Sequence, residues 1–248
     1  MYQVLKNIAL KLIPRKLLFE HEEDLRRVYS LLYRGNVCQC NICGKHLSRF
    51  IVTENNDLLC PNCGSLQRNR RLWELLETEF VKPGINILDF SPSRCLYRKM
   101  KKISGIKYES TDLSGDFIAD YQYDITKLPV AAAQYELILC YHILEHIPND
   151  IAAMQELLRV MKPGAKALIQ TPFKVGKIYE DNHIVSEKER LAHFGQEDHV
   201  RIYSVAGLKE RLKTAGFLVE VREKFQDENN YGLDSDEKVF VLTKPLNL

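Results

Sequence analysis

The chain has no apolar run near the roughly 18 residues that a membrane-spanning helix needs. It also has no secretory leader pattern, no internal repeat and no low-complexity tract. Charge of one sign is missing too: 35 basic residues face 33 acidic ones, for a net charge of +2. Together these absences argue against an integral membrane protein, a repeat solenoid and a nucleic-acid binder that works through bulk charge. They predict a cytoplasmic globular protein, and any basic patch on it has to be local. Glycine is missing where it matters most. "NILDFSPSRCL" (86–96) starts as a buried strand and turns through Ser91, Pro92 and Ser93, where nucleotide-binding sheets usually turn through glycines.

Cysteine, by contrast, is plentiful and clustered. Five of the seven cysteines fall between Cys38 and Cys63. "CQCNICGKHL" and "LLCPNCGSL" each hold a C-x-x-C-G knuckle, Cys40 with Cys43 and Cys60 with Cys63. Such turns aim two sulfurs at one point, and four thiolates suit tetrahedral zinc. The glycines after Cys43 and Cys63 relieve the backbone as it turns. Four sulfurs leave no open coordination position, so a structural zinc is expected. Cys38 is a spare thiol on the entering strand, and His46 is an unneeded fifth donor. The basic run after the knuckles, Arg68, Arg70 and Arg71, is read as the solvated face of the helix that begins there, with phosphate contact as the rival.

At 248 residues the chain has room for one medium domain and a small module. Residues 1–36 predict helical segments parted at Pro14, with Leu5, Ile8 and Leu12, then Leu25, Val28 and Leu32, at helical spacing. Packing against its own domain is the favoured reading of this stretch. A weak contact of residues 1–19 with an anionic inner-membrane surface, through Lys6, Lys11, Arg15 and Lys16, is the alternative. Residues 37–70 form the zinc ribbon. From residue 85 strands and helices alternate, the pattern of a doubly wound α/β sheet. Strands are predicted at 85–90, 106–111, 117–120, 135–141, 165–171, 217–222 and 238–243. No helical pattern links the last two, so they are expected to form an antiparallel hairpin on a parallel sheet. Helices are predicted near 94–102, 148–161 and 204–215.

"YELILCYHILEHIPND" (135–150) and "MQELLRVMKPGAKALIQTPF" (154–173), with "LEHI" at 144–147 and "MKPGA" at 161–165, resemble the class I S-adenosylmethionine-dependent methyltransferases, more narrowly their type 11 group. The resemblance spans about residues 84–243. The ribbon and "HFGQEDHVRIYS" (193–204) are similar to a bacterial subgroup that carries an N-terminal zinc ribbon. This implies that residues 71–248 form a Rossmann-like methyltransferase domain with a seven-stranded, mostly parallel sheet. It further implies S-adenosylmethionine held by Asp89, Ser91, Pro92 and Ser93 at the methionine end. Asp112, with Leu113 beside it, would hold the ribose, and Asp124 and Ile125 the adenine. Tyr141 and His142 would flank the methionine. A carboxylate about 20 residues beyond the first loop, as Asp112 is, suits a ribose in this architecture; alone it would read as a strand-end Asp capping a turn, and it is the joint pattern that favours the ribose.

Methyl transfer from a sulfonium is an in-line displacement, so the protein must mainly align the acceptor and exclude water. An oxygen or nitrogen acceptor that needs a base has two histidine candidates, His199 and His146. Glu145 either orients His146 or caps the helix after Pro148. Residues 173–200 are too long for an ordinary strand-to-helix link and are expected to form a lid over the acceptor. The expected acceptor is a small molecule or a glycan or lipid precursor. An RNA acceptor gripped by the ribbon and a non-catalytic binding module on the same fold are the alternatives, and nucleic acid is disfavoured by the charge balance.

Overall fold

A computed structural model of the chain describes residues 15–223 and 230–247, with the side chains of 15–20 undescribed. The predicted helical segment before Pro14, and the side chains behind the expected lipid contact of residues 1–19, lie outside the described residues. No helix among the described residues is long and apolar enough to cross a membrane. The described residues fall into two compact units, one drawn from residues 15–80, 93–99 and 230–237, the other from 81–92, 100–223 and 238–247.

In the first unit, helix α1 (Arg15–Tyr29) leads through a 3-10 turn into β1 (Arg34–Gln39). β1 pairs antiparallel with β2 (His46–Leu47), and β3 (Ile51–Val52) pairs antiparallel with β4 (Leu58–Leu59). Helix α2 (Gln67–Leu75) follows. The sequence reading of the basic run just after the cysteines as a solvated face is overturned at Arg70 and Arg71. Arg70 and Arg71 are 0% and 2% exposed. The reason is visible at Arg70. Its guanidinium donates to four carbonyls, of Leu58 at 3.0 Å, Ser65 at 2.8 Å, Tyr231 at 2.5 Å and Gly232 at 2.8 Å, and sits 4.0 Å from the centre of the Phe50 ring. A buried arginine so satisfied costs little of what an unpaired one would.

The chain then runs through β5 (Asn86–Phe90), α3 (Arg94–Met100), β6 (Lys107–Thr111), β7 (Tyr135–Tyr141), α4 (Asp150–Val160), β8 (Met161–Gln170), β9 (Tyr179–Glu180), α5 (Glu187–Phe194), β10 (Arg201–Ile202), α6 (Val205–Thr214), β11 (Leu218–Arg222) and β12 (Val239–Thr243). In the second unit six strands form one sheet in the order β11-β12-β8-β7-β5-β6. β6, β5, β7 and β8 pair in parallel, and β12 and β11 add the antiparallel edge anticipated from their helix-free link. The chain leaves β5 toward β6 on one side and later returns to β7 on the other. β5 is therefore the topological switch point, and ligands of open α/β sheets bind at the carboxyl ends there. β7 reads as an unbroken apolar run, Leu137 to Cys140, because all four side chains are fully buried.

The seventh predicted strand, 117–120, does not form. The Asp120 carboxylate accepts the Ser110 amide at 3.0 Å and the Ser110 hydroxyl at 2.9 Å, taking a donor that a further strand beside β6 would use. A single bridge between Thr111 and Tyr121 is the pairing that remains.

Within β5, Asp89 is buried with the Tyr108 hydroxyl donating to it at 2.9 Å. Burial pushes its pKa up to about 7, against the lowering effect of that hydrogen bond. The folded protein therefore prefers the neutral acid, while the unfolded chain ionises near pH 4. The resulting stability is present below about pH 4 and is lost as pH rises through about 7. Urea denaturation at pH 5 and pH 8 should show Asp89→Asn gaining on the natural protein as pH rises. A gap that stays constant between the two pH values contradicts this account.

Candidate functional site

At the carboxyl end of β5 the glycine-free turn takes a glycine-like conformation. Ser91 sits at φ +46°, a region that non-glycine residues seldom enter. Two bonds hold it there. Its amide donates to the Thr111 carbonyl at 2.7 Å, and its hydroxyl donates to Asp112 Oδ1 at 2.6 Å. The other Asp112 oxygen accepts the Ser114 hydroxyl at 2.8 Å and the Gly115 amide at 2.6 Å. Burial alone would raise the Asp112 pKa. The Ser91 and Ser114 hydroxyls and the amides of Phe117 and Gly115 outweigh it and hold the carboxyl below its ordinary value. Ser91 and Asp112, predicted from separate stretches, thus meet at the switch point.

The other predicted cofactor residues scatter around this pair. Pro92 is buried beside Ser91, and Leu113 is exposed beside Asp112. The Tyr123 amide donates to Thr111 Oγ1 at 2.8 Å, which brings the next loop to the end of β6. There Asp124 is exposed and accepts the amide and hydroxyl of Thr126 at 2.8 and 2.7 Å, while the Ile125 side chain joins the apolar core. Ser93 belongs to the first unit, where its hydroxyl lies 3.3 Å from Cys95 Sγ.

The end of β7 is more crowded than expected. Tyr141 ends the strand, and His142 follows at φ +55° with its amide on the Gln170 carbonyl at 2.8 Å. A 3-10 turn, Leu144–His146, then points the chain toward α4. Glu145 does not cap that helix: the cap is Asn149, whose side chain accepts the Ala152 amide at 3.1 Å. Glu145 is instead 1% exposed, with His142 Nδ1 3.3 Å from Oε1. Burial would raise its pKa, but His142 and then His146 bring it below the ordinary value. His146 Nδ1 lies 2.9 Å from Asp198. The His199 ring stands edge-on to the His146 ring at 4.6 Å, and His199 Nδ1 lies 3.3 Å from the Phe194 carbonyl. Burial, then the His146 charge, lower the His199 pKa.

Both predicted histidines therefore meet, and Glu145 meets them. The H-x-x-E-H spacing at 142–146 was the available signal for Glu145. The other polar residues of the long segment turn to each other: His183 lies on Asp181 and His193 on the Tyr179 hydroxyl. The segment is tied down by its last residues. The Val200 amide donates to the Glu145 carbonyl at 2.9 Å, and the buried Arg201 donates to the carbonyls of Leu144, Ile147 and Pro148. A cleft of about 390 Å³ lies alongside, lined by Asn149, Asp150, Glu180 and Arg211 among others, and none of the expected cofactor residues lines it.

In the first unit, the sulfurs of Cys40, Cys43, Cys60 and Cys63 all lie within 4.8 Å of one another. Cys40 Sγ is 3.6 Å from Cys63 Sγ, and Cys43 Sγ is 3.9 Å from Cys60 Sγ. Those separations are far beyond a disulfide, and a tetrahedron with 2.3 Å zinc–sulfur bonds has edges of about 3.8 Å. The two knuckles match bond for bond. The Gly44 amide donates to the Cys40 carbonyl and the Gly64 amide to the Cys60 carbonyl, with both glycines at positive φ. Ser65 Oγ lies 3.3 Å from both Cys40 and Cys63. Hydrogen bonds from Cys43, Cys60 and Cys63 hold the Cys40 thiol well below its usual range, and Cys40, Cys43 and Cys60 push Cys63 well above it. Four acids so crowded can all ionise only around a cation. Cys38 and His46 are outside the cluster.

Similarity to known proteins follows the second unit. The chain matches the family described as "Methyltransferase domain" over residues 66–220. It is 29% identical over 97 residues to a protein of Mycolicibacterium smegmatis named "Probable S-adenosylmethionine-dependent methyltransferase", a match covering 39% of this chain and 34% of that protein. It is 28% identical over 87 residues to the ubiquinone biosynthesis O-methyltransferase of Aeromonas salmonicida, covering 35% of this chain and 37% of that one. Matched stretches thus span about a third of each of those relatives. Among solved structures, phosphoethanolamine N-methyltransferase 2 of Haemonchus contortus in complex with S-adenosyl-L-methionine superposes with a TM-score of 0.50 at 18% identity, over 71% of this chain and 52% of that chain. That likeness concerns the fold. With the family match covering well over half of its length, and with the mostly parallel sheet that it predicts, the chain belongs to the methyltransferase domain family.

Proposed function

We propose that the protein binds S-adenosylmethionine across the carboxyl ends of β5, β6 and β7 and transfers its methyl group to an oxygen or nitrogen of a small molecule or of a glycan or lipid precursor. The observation that carries this reading is the Ser91–Asp112 contact at the switch point. It supplies a low-pKa carboxylate beside a turn whose backbone is shaped for close approach. In the bound state the ribose hydroxyls take over the Asp112 oxygen that Ser91 now occupies. Asp89, Pro92, Tyr141 and His142 surround the methionine, and Asp124 and the Ile125 amide the adenine. The cofactor brings an activated methyl group, so the work left to this chain is alignment and exclusion of water. Residues 173–200 serve as the lid on the acceptor side, carrying His199 and closing over His146. The reading of an RNA acceptor loses two of its three candidate grip residues, since Arg70 and Arg71 are buried.

Calorimetry with S-adenosylhomocysteine tests the cofactor site. The natural protein should bind, and Asp112→Ala should bind at least ~10-fold more weakly, the loss of one charge-assisted hydrogen bond or more. Equal binding by the two refutes the ribose assignment, and no binding by either refutes the methyltransferase reading.

We further propose that Cys40, Cys43, Cys60 and Cys63 hold one structural zinc. The donor set supports this: sulfur–sulfur distances that suit a tetrahedron, Ser65 beside two of the sulfurs, and Arg70 adding a buried positive charge through Ser65. Metal analysis of freshly purified, reduced protein should find close to one equivalent. Cys43→Ser should lose most of it and lower thermal stability, while Cys38→Ser should retain both. Equal metal content in the two variants defeats the assignment.

A further inference from the structure

Six buried polar atoms without a hydrogen-bond partner gather at one place. At the carboxyl ends of β7 and β8 they include His142 Nε2, both carboxylate oxygens of Glu145, Gln170 Oε1 and Thr171 Oγ1, and His199 Nε2 joins them from the segment before β10. Buried polar groups are normally satisfied, and a concentration of orphans needs a cause. Glu145 is 1% exposed and His199 4%, so water from bulk does not satisfy them. His142 Nδ1 approaches Glu145 Oε1 at 3.3 Å without hydrogen-bond geometry.

One carboxylate oxygen of Glu145 and one ring nitrogen each of His146 and His199 lie within 4.8 Å of one another. Each imidazole has its Nδ1 turned to a protein acceptor, His146 to Asp198 at 2.9 Å and His199 to the Phe194 carbonyl at 3.3 Å. That is how metal-binding histidines are oriented: one nitrogen is anchored by an acceptor, and the other is left with its lone pair. The backbone is anchored as well, since the Val200 amide bonds the Glu145 carbonyl and Arg201 bonds the carbonyls on either side of His146. Two segments more than fifty residues apart are thus held so that their donors converge.

We propose that Glu145, His146 and His199 form a divalent transition-metal site, separate from the cysteine cluster. Two imidazoles and one carboxylate suit manganese, iron(II), cobalt or zinc better than magnesium or calcium, which prefer all-oxygen shells. Three protein ligands leave positions open, unlike four thiolates. Resting on the methyltransferase reading, the site also narrows the acceptor to one whose hydroxyl oxygen binds the metal. The metal lowers the pKa of that hydroxyl, and its proton passes to solvent water. The oxygen lone pair then forms the new bond to the methyl carbon as the sulfur–carbon bond breaks, and that electron pair stays on sulfur as the neutral thioether.

The test uses the full chain with the cysteine cluster loaded with zinc. Titration with cobalt(II) chloride, followed by visible absorption and calorimetry, should show one further equivalent bound, without thiolate charge-transfer bands. Glu145→Gln and His199→Ala should each weaken that binding at least ~10-fold. His146→Ala, at a partly exposed position, should do the same and serves if either buried variant fails to fold. Absence of a further equivalent in the natural protein overturns the proposal, as does unchanged cobalt affinity in the folded variants. Titration with S-adenosylhomocysteine is run in parallel. Cobalt binding without cofactor binding leaves the metal site standing and removes the methyltransferase reading, and the reverse result does the opposite.

Discussion

The region where the chain leaves β7 depends on one buried guanidinium. Arg201 enters the space under the β7–α4 connection and donates to three backbone carbonyls there, of Leu144, Ile147 and Pro148. A buried cation needs compensation, and it is provided by Glu180 at 2.8 Å and Asp150 at 3.8 Å. Arg211 reaches the same two acids at 2.6 and 2.7 Å, and the Tyr203 hydroxyl also donates to Asp150. Two cations facing two anions leave little net buried charge, which is the condition under which such a network is tolerated. The consequence is geometric. A long segment that leaves the sheet after β8 is pinned, at its far end, against the turn that leaves β7. His199 is two residues from Arg201, so its position beside His146 follows from this tie.

A similar economy governs the cofactor edge. A serine at φ +46° carries a local strain of about 1–3 kcal/mol. A glycine would avoid that strain but would bring no hydroxyl. Here the hydroxyl holds the Asp112 carboxylate at 2.6 Å, and the amide holds the end of β6. The turn therefore combines the backbone shape of a glycine loop with a side chain that orders the neighbouring strand end.

The first unit follows the same logic of compensating a buried charge. Arg70 loses solvation on burial, which lowers its pKa, while the negative charge of the Cys40, Cys60 and Cys63 sulfurs raises it. Its carbonyl partners come from β4, from Ser65 and from residues 231–232, far along the chain. One side chain thereby joins the second knuckle to a distant segment of the same unit.

Local chemistry made much of this legible in the sequence. The alternation of strand and helix periods, the buried run of β7 and the helix-free link before β12 are short-range signals, and the six strands follow them. The cysteine knuckles are equally local: spacing and the following glycine suffice to bring two sulfurs together. Asp112 was legible because its distance from β5 reflects one strand–helix–strand unit. Other features required the tertiary structure. Residues 117–120 have strand-like composition, but Asp120 takes the Ser110 amide that pairing would need. Arg70 and Arg71 look solvated because a helical pattern cannot reveal carbonyls arriving from residues 231–232. Of the two roles the sequence offers Glu145, orienting His146 or capping the next helix, capping fails, because its neighbours in space are His142, His146 and His199. Periodicity and spacing report on interactions a few residues apart. Burial of a charge, and the convergence of side chains from residues 142–146 and 199, are decided by contacts that only the folded chain makes.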